Sequence, residues 1–474
     1  MAIDKMKKVP VHEQEPEVRA HNFKEVRQGY SKEEAQLEAQ RCLNCKVPKC
    51  KEGCPNTNNI PEFIARLKEG DVEGAYRKLA ERTSLPGVCG RVCDQPHQCE
   101  GKCVRGIKGE PVAIGMLERF VADTAAAEGY DALEKAPSNG RRVAVVGSGP
   151  AGLACAYRLA LDGCEVTIFE AQHEAGGVLR YGIPEYRLPK ETVVEHEVRN
   201  VTRVGVKIVT DCPIGKEHTI DDLFAQGFEA VFLGVGAWSP KHMGIPGEDA
   251  EGVYTSDKFL SIFLSGDVSE PEGLELKQHV AGKDIIVVGG GNVAMDVART
   301  AVRLGARVQV VYRRSEAELP ARSDEIAHAK EEGVVFNLLT NPVAVAKDIN
   351  GAVCCVELVK MELGKPDESG RRRPIEVKGS NFMMKCDAIV MALGTGVDPN
   401  IAEATKGLEI DKSNRIIVKN EDGLTSRPGV YAGGDDVTGP LTVVHAMGAG
   451  MRSAKAILAY LAAKKGATRS DEGV

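Results

Sequence analysis

The sequence has no long basic block, and its 61 lysines and arginines are outnumbered by 68 aspartates and glutamates, which gives a formal net charge of −7. Proteins that bind nucleic acids need clustered Lys and Arg to neutralise phosphates, so this balance argues against that class. The sequence also lacks any run of about 18 apolar residues, which argues against a membrane-spanning helix. Because segment 1–19 has no apolar core of the signal-peptide type, we expect a cytoplasmic protein.

The chain is also too long to be a small secreted domain held together by disulfides, since 474 residues indicate roughly three domains. Its 14 cysteines are unevenly distributed, and eight of them lie between Cys42 and Cys103. In a large protein without secretory features, a dense cysteine block of this kind indicates metal binding.

The cysteine block has two halves with short internal spacings. They are Cys42-x2-Cys45-x4-Cys50-x3-Cys54, which Pro55 follows, and Cys89-x3-Cys93-x5-Cys99-x3-Cys103. Such spacings let loops wrap an iron–sulfur cubane, and a last cysteine before proline often ligates a different cluster. Zinc is the alternative, but zinc sites prefer paired CxxC motifs or Cys and His mixtures, and here only one CxxC and one histidine, His97, occur. We therefore predict two 4Fe–4S clusters.

The pattern beyond the cysteines indicates an α/β protein with two nucleotide-binding units. Residues 1–135 have helical periodicity, and the segment 136–140 is a linker. Two strands, which begin at Val143 and Asp284, are each followed by a glycine turn and a helix. We predict a helical iron–sulfur domain over 1–135, then two Rossmann-like domains. The FAD-binding domain would be discontinuous (141–265 and 396–474), with an NADP(H)-binding domain (266–395) inserted in it.

The first glycine turn is a full dinucleotide fingerprint. Gly147, Gly149 and Gly152 flank Pro150 and Ala151 between a strand and a helix, and Glu170 closes the next strand. The glycines permit a tight turn, close approach to a pyrophosphate, and helix–strand packing. The helix N-terminus favours the negative charge of the pyrophosphate. Glu170 would accept hydrogen bonds from ribose hydroxyls and repel a 2′-phosphate, so this site fits FAD or NAD.

The second turn carries Gly290, Gly291, Asn292 and Val293, and has alanine at its third glycine position. Tyr312 stands where the first site has Glu170, and Arg313 and Arg314 follow it, with Arg322 as a weaker candidate. Arginine offers fixed donors for a phosphate, so the pattern predicts NADP(H) rather than NAD(H). The alternative is that these arginines form a solvated strand end, which would still leave a nicotinamide site.

The motifs together resemble the small (beta) subunit of NADPH-dependent glutamate synthase along nearly the whole chain. The sequence is also similar to the N-terminal part of dihydropyrimidine dehydrogenase, and a close branch is the large subunit of electron-bifurcating NADH-dependent ferredoxin:NADP oxidoreductase. The segments that carry the resemblance are 41–45, 88–93, 99–103, 114–120, 147–152, 180–184 and 431–435.

The resemblance implies a ligand assignment that spacing alone does not give. One cluster would be held by Cys42, Cys45, Cys50 and Cys103. The other would be held by Cys54, Cys93, Cys99 and a carboxylate, Glu118, where the pyrimidine enzyme has glutamine. Cys89 would then be a bystander. A carboxylate ligand would change the charge and the reduction potential of its cluster.

The resemblance also implies flavin contacts outside the fingerprint. The glycine pair that ends at Gly177 would let the chain pass close to the flavin ring, and Gly434 and Asp435 match a second FAD signature. Ala392 and Gly394 match the turn between the two nucleotide domains. The remaining candidates for the FAD site are Arg180, Arg187, Thr442 and Val443.

In this interpretation the chain is an NADPH-dependent oxidoreductase subunit that moves electrons between a nicotinamide, FAD and the clusters. The leading hypothesis is glutamate synthase, which requires a large partner subunit because this chain is too short for the synthase domains and has no cysteine at position 2. The alternative is the bifurcating oxidoreductase, whose partner would be a small flavin and 2Fe–2S subunit, with ferredoxin as a further partner. A non-catalytic iron–sulfur scaffold is the third hypothesis, and two intact fingerprints argue against it.

Overall fold

The computed structural model describes residues 4–130, 133–215, 217–264, 280–366, 370 and 372–471, with side chains up to residue 464. The fold class is the predicted one, with a helical domain followed by two parallel sheets that are covered by helices. Among these residues, no helix combines the length and apolar character needed to cross a membrane.

The N-terminal domain is built from short helices and loops. Ser31 caps α2 by accepting from the Glu34 N–H while Glu34 accepts from the Ser31 N–H, so this helix begins with a capping box. Between α6 and α7, two 3₁₀ turns cover Glu100–Lys102 and Val104–Ile107. The helices are α1 (Pro16–Arg19), α2 (Lys32–Ala39), α3 (Lys49–Glu52), α4 (Ile60–Lys68), α5 (Val72–Ala80), α6 (Pro86–Val92) and α7 (Ile114–Glu128).

The first α/β domain begins with an apolar strand that is buried on both faces, as is typical of a parallel sheet. A π-helical turn, Lys190–Val194, precedes α10. Its elements before the inserted domain are β1 (Arg142–Val146), α8 (Pro150–Leu161), β2 (Glu165–Phe169), α9 (Val178–Tyr181), α10 (Glu195–Arg203), β3 (Lys207–Val209), α11 (Ile220–Ala225), β4 (Ala230–Leu233) and β5 (Ser239–Pro240).

The second α/β domain repeats the strand, glycine turn, helix and strand order, and adds an antiparallel sheet that the sequence did not predict. In that sheet β11 pairs with β10, β12 and β13. The elements are β6 (Val253–Thr255), α12 (Ser256–Leu264), β7 (Asp284–Val288), α13 (Asn292–Arg303), β8 (Arg307–Tyr312), α14 (Ser323–Glu331), β9 (Val335–Leu338), β10 (Thr340–Lys347), β11 (Val353–Pro366), β12 (Arg372–Glu376), β13 (Phe382–Lys385), β14 (Ala388–Met391) and β15 (Thr395–Gly396).

The tail returns to the first domain. Strand β16 pairs with β4, which gives the parallel sheet β16-β4-β1-β2-β3, and the last helix packs against α8. The second parallel sheet has the order β6-β14-β7-β8-β9, and β5 pairs with β15. The elements of the tail are α15 (Asn400–Glu403), β16 (Val430–Ala432), α16 (Asp435–Thr438) and α17 (Val443–Asp471).

The predicted domain boundary needs one correction. The position 265/266 itself lies outside the described residues, but β6 already pairs with β14 of the second sheet, through Val253 and Ile389 among others. The inserted domain therefore already includes Val253, where β6 begins. A three-residue strand carries too little periodicity for the sequence to assign it to a sheet.

Candidate functional site

Four of the predicted cysteine ligands line one pocket, which we call the outer site: Cys42, Cys45, Cys50 and Cys103. Cys42 follows α2, Cys50 lies in α3, and Cys103 lies between the two 3₁₀ turns. The pocket wall is apolar and includes Ile60, Ile64 and Ile114. In the described residues, no three His, Cys, Asp or Glu side chains are grouped to hold a single metal ion.

The electrostatics of the outer site oppose free thiolates. Burial, together with the neighbouring thiols of Cys103 and Cys42, raises the pKa of Cys50 to about 12. Burial likewise raises the pKa of Cys42. Iron stabilises coordinated thiolates, so a cubane in this pocket would offset the cost that four converging sulfurs impose. The donor set fits a 4Fe–4S cluster, and which cluster these cysteines hold stays a prediction.

The other predicted set, which we call the inner site, is also brought together: Cys54, Cys93, Cys99 and Glu118. Burial raises the pKa of Cys54 to about 11, with Glu118 and Cys93 as further causes. Burial, together with the nearby Glu197, raises the pKa of Glu118 to about 8. The Asn58 amide donates to Glu118 over 3.4 Å. These three cysteines and Glu118 thus lie near enough to shift one another's pKa values, and their role as cluster ligands stays a prediction.

Cys89 lies against the inner site. It precedes Cys93 by one helical turn, it is 2% exposed, and its thiol is hydrogen-bonded to that of Cys93. The resemblance leaves Cys89 outside both ligand sets, although its i, i+4 spacing to Cys93 puts both sulfurs on one helix face. No spacing signal in the sequence points to Asn58.

The first glycine turn forms a cradle that side chains would fill. A Cβ on Gly177 would lie 2.8 Å from the Gly149 Cα, and a Cβ on Gly147 would lie 2.5 Å from the Gly234 carbonyl oxygen. Helix α8 starts at Pro150 without a side-chain cap, so its first N–H groups are available to an anion. Gly152 packs on the Gly147 carbonyl, as the fingerprint predicts.

The acid that follows the first turn is held in place by backbone donors. Glu170 is buried and accepts from the N–H groups of Ser148 and Gln172, each over 2.8 Å. From the tail, Gly434 approaches Ala151, because a Cβ there would lie 3.1 Å from the Ala151 Cβ. Burial raises the pKa of Asp435, which accepts from the Leu441 N–H over 3.2 Å. The tail therefore lies against the first glycine turn, and this glycine cradle fits FAD.

The other residues predicted around the flavin have defined partners. The Arg180 guanidinium bonds the Ala175 carbonyl and Glu195, and Thr442 bonds His445 over 2.7 Å and accepts from Gln98 over 3.4 Å. Val443 begins α17. Arg187 is buried and pairs with Asp296 at 2.7 Å and Glu325 at 3.1 Å, so it joins the two α/β domains.

The second glycine turn has the same form. A Cβ on Gly290 would lie 2.7 Å from the Tyr312 ring, and one on Gly289 would collide with the Ala392 carbonyl oxygen. Helix α13 has no side-chain cap, and its first turn carries Asn292 and the exposed Val293. Gly291 lies at the N-cap, and Gly394 has a φ of 85°, which favours glycine. This glycine cradle fits a dinucleotide.

The arginines near the second turn differ in their surroundings. Arg313 is exposed and Arg314 half-buried, with its Nε buried and unbonded. Arg322, by contrast, is buried, bonds Asp324, and donates to the carbonyl oxygens of Arg91 at 3.2 Å and Cys93 at 2.9 Å. Arg322 thus ties the second domain to the inner site, whereas Arg313 and Arg314 keep donors for a ligand.

Comparisons with known proteins agree with this architecture. Residues 19–130 match the model described as dihydroprymidine dehydrogenase domain II, 4Fe-4S cluster, and residues 141–450 match the pyridine nucleotide-disulphide oxidoreductase model. The solved structure of Mycobacterium tuberculosis FprA in complex with NADPH has a TM-score of 0.58 and 20% identity, covering 69% of this chain and 86% of that one. That likeness concerns the fold. The class is therefore an iron–sulfur pyridine nucleotide oxidoreductase.

Curated relatives define the family more closely. The small chain of NADPH glutamate synthase from Escherichia coli (strain K12) is 36% identical over 456 residues, which cover 94% of this chain and 95% of the relative. The same family includes the Azospirillum brasilense small chain, which is 35% identical over 94% of this chain and 93% of that protein. The chain belongs to the family of glutamate synthase small chains. It is an NADP(H)-dependent oxidoreductase with FAD and 4Fe–4S cofactors.

Some relatives are longer proteins. The beta subunit of NADP(+)-dependent formate dehydrogenase from Moorella thermoacetica is 40% identical over 87% of this chain, but the chain spans only 60% of that relative. The putative oxidoreductase AegA of Escherichia coli (strain K12) is 38% identical over 94% of this chain and 69% of its own length. The shared unit therefore also occurs inside larger proteins.

Proposed function

We propose that this chain is the NADPH-oxidising subunit of a glutamate synthase and works with a large partner subunit. Bound FAD and 4Fe–4S clusters would supply hydride acceptance and single-electron transfer. The chain's own residues bind and orient these groups: the two glycine cradles hold the nucleotides, and the inner and outer sites hold two clusters. The 36% identity to the Escherichia coli small chain, which extends over 95% of that protein, supports the assignment.

The observation that carries the proposal is the position of the two cysteine sites. The inner site is adjacent to the flavin-domain tail, because Asn56, two residues after Cys54, contacts Met451 of α17 over 3.4 Å and Gln98 contacts Thr442. The outer site opens to the surface, where Leu43 and Val104 line its mouth. The inner and outer sites therefore provide cluster positions that lead from the flavin domain to the surface of the protein.

The surface at the outer site has the character of a partner contact. Leu43, Val47, Val104 and Ile107 are 53%, 63%, 37% and 78% exposed. Segments 42–51 and 101–108 contain no Asp or Glu but carry six cations: Lys46, Lys49, Lys51, Lys102, Arg105 and Lys108. Lys49 and Lys51 are paired with Glu52 and Glu62, so the other four cations form the basic rim. An apolar centre with such a rim suits a partner with an acidic rim, although the whole chain is acidic.

Anaerobic titration with NADPH tests the proposed function. We expect the flavin absorbance to bleach and the resonance signals of reduced 4Fe–4S clusters to appear, with glutamate formed from glutamine and 2-oxoglutarate once the large subunit is added. Bleaching without cluster reduction, in a sample with full iron content, would contradict the cluster assignment. Activity with a small flavin and 2Fe–2S subunit and NADH instead would favour the bifurcating oxidoreductase, whose branch the segment 106–123 resembles.

The nucleotide preference has its own test. Replacing Arg313 and Arg314 with Ser should raise the KM for NADPH by about a hundredfold and leave the KM for NADH nearly unchanged, since only the 2′-phosphate loses partners. The control is Arg307→Ser, an exposed arginine at the start of the same strand β8. Equal losses for both nucleotides would contradict the assignment.

A further inference from the structure

Two adjacent cysteines in the inserted domain lie close together outside every site described above. Cys354 and Cys355 belong to β11, in the antiparallel sheet. In a regular strand, successive side chains point to opposite faces, so neighbouring sulfurs lie far apart. Here the Cys354 and Cys355 Sγ atoms are 3.7 Å from each other.

A β-bulge accounts for this unusual pair. Opposite β11, Ala346 pairs with Cys355 and the next residue, Lys347, pairs with Val353, which leaves Cys354 without a partner in the register. The extra residue turns the strand locally and changes the direction of its side chain. As a result, Cys354 is exposed and Cys355 is half-buried beside it.

A third cysteine lies nearby but is of a different kind. The Cys386 N–H donates to the Cys354 carbonyl over 3.2 Å, and Cys386 is only 5% exposed. Burial raises the pKa of Cys386 to about 12, with the Cys355 and Cys354 thiols among the further causes. The accessible thiols are therefore the first two, and Cys386 forms the floor beneath them.

We propose that Cys354 and Cys355 form a dithiol site for trivalent thiophiles of the arsenical class. With an arsenoxide, two S–H bonds and the arsenic–oxygen bond break, two sulfur–arsenic bonds form, and one water leaves. Arsenic stays trivalent, so neither an oxidant nor a reductant is needed. Because the second sulfur is already beside the first, its bond forms intramolecularly and the complex resists competition from monothiols.

The test uses the holoprotein, one equivalent of phenylarsine oxide and anaerobic conditions. We expect one adduct by intact mass, mapped to the peptide containing residues 354 and 355, with iron content unchanged. An excess of glutathione should leave the adduct in place, whereas 2,3-dimercaptopropanol should remove it. Cys354→Ser and Cys355→Ser should each lower retention against glutathione by about a hundredfold.

Cys386→Ser is the matched control, since it removes a neighbouring sulfur and leaves Cys354 and Cys355 intact, and its retention should equal that of the parent protein. Adducts that map to residues 42–103, that form only as iron is lost, or that persist in Cys354→Ser would overturn the proposal. None of these outcomes bears on NADPH oxidation, because the flavin titration is independent of them.

Discussion

The outer and inner cysteine sites use similar ligands but have different surroundings. At the outer site, a pocket lined by Leu43 and Val104 opens to solvent. At the inner site, Cys93, Cys99 and Glu118 are each 8% exposed, and Arg322 of the inserted domain bonds the Cys93 carbonyl. The two sites therefore have similar ligands in different surroundings. The ligands determine which cluster a site can bind, and the surroundings control which partners can approach it.

Among the changes considered, removal of one ligand of the inner site should have the largest effect, because it should change the iron content of the protein. Cys99→Ser should lose about half of the bound iron, because one of two four-iron clusters would lack a thiolate. Iron analysis and resonance spectroscopy of the reduced protein are the measurements. Cys89→Ser is the control and should keep its iron, although its thiol contacts Cys93. The reverse result would refute the ligand assignment of the inner site.

The junction between the N-terminal and inserted domains should respond next. Glu332 is buried and bonds Arg299 at 2.7 Å, Arg303 at 2.6 Å and Arg19 of the N-terminal domain at 3.1 Å. Glu332→Gln leaves these guanidinium groups without a full partner, so we expect the free energy of unfolding to fall by about 3–5 kcal/mol. Denaturant titration measures it. Glu316→Gln removes an exposed ion pair with Lys330 and should cost under about 1 kcal/mol.

The Glu332 carboxylate should also make the free energy of unfolding depend on pH. Burial alone would raise the pKa of Glu332, but hydrogen bonds from Arg303 and Arg299 lower it to about 2, below the ordinary 4.5. A depressed pKa gives stability that is complete above pH 4.5 and is lost as the pH falls toward 2. We expect about 3 kcal/mol of this loss to be absent in Glu332→Gln. Parallel stability profiles for both proteins would contradict this.

Exposure of the outer site should give a kinetic difference. An iron chelator should remove iron in two phases whose rates differ by about tenfold. The faster phase should come from the open pocket, since the surroundings of a site control solvent access to it. The signal of each cluster is followed by resonance spectroscopy. Cys103→Ser should abolish the fast phase only. A single phase, or faster loss from the inner site, would contradict the difference in burial.

The smallest expected effect concerns the carboxylate ligand. Glu118→Gln keeps the shape and an oxygen donor, and the pyrimidine enzyme that the sequence resembles has Gln there, so we expect iron to be retained. Loss of one negative charge should raise the inner cluster's reduction potential by on the order of tens of millivolts. A redox titration measures the shift, and an unchanged potential would argue that Glu118 is not a ligand.

Local patterns predicted most of this architecture. The predicted fold class and family are confirmed by the sheets and the comparisons. These features depend on residues that are close in sequence. The antiparallel sheet and the early start of the inserted domain at Val253 were not predicted, since short strands obtain their partners from distant segments.

Long-range polar contacts were the least predictable. The family resemblance makes Arg187 a candidate FAD contact, and the sequence after the second glycine turn makes Arg322 a weaker candidate for NADP(H). Their partners lie far away along the chain: Asp296 for the first, and the carbonyl oxygens of Arg91 and Cys93 for the second. A buried guanidinium requires several acceptors at once, and only the folded chain shows where these are.

Strand β16, at Val430–Ala432, has a consequence for biosynthesis. A nascent chain that has emerged only as far as Gly396 holds every strand of the inserted sheet, but its first sheet still lacks an edge strand and the helix that packs on α8. We therefore expect a chain that ends before β16 to complete the inserted sheet but not the first sheet, and to retain less flavin than the full chain.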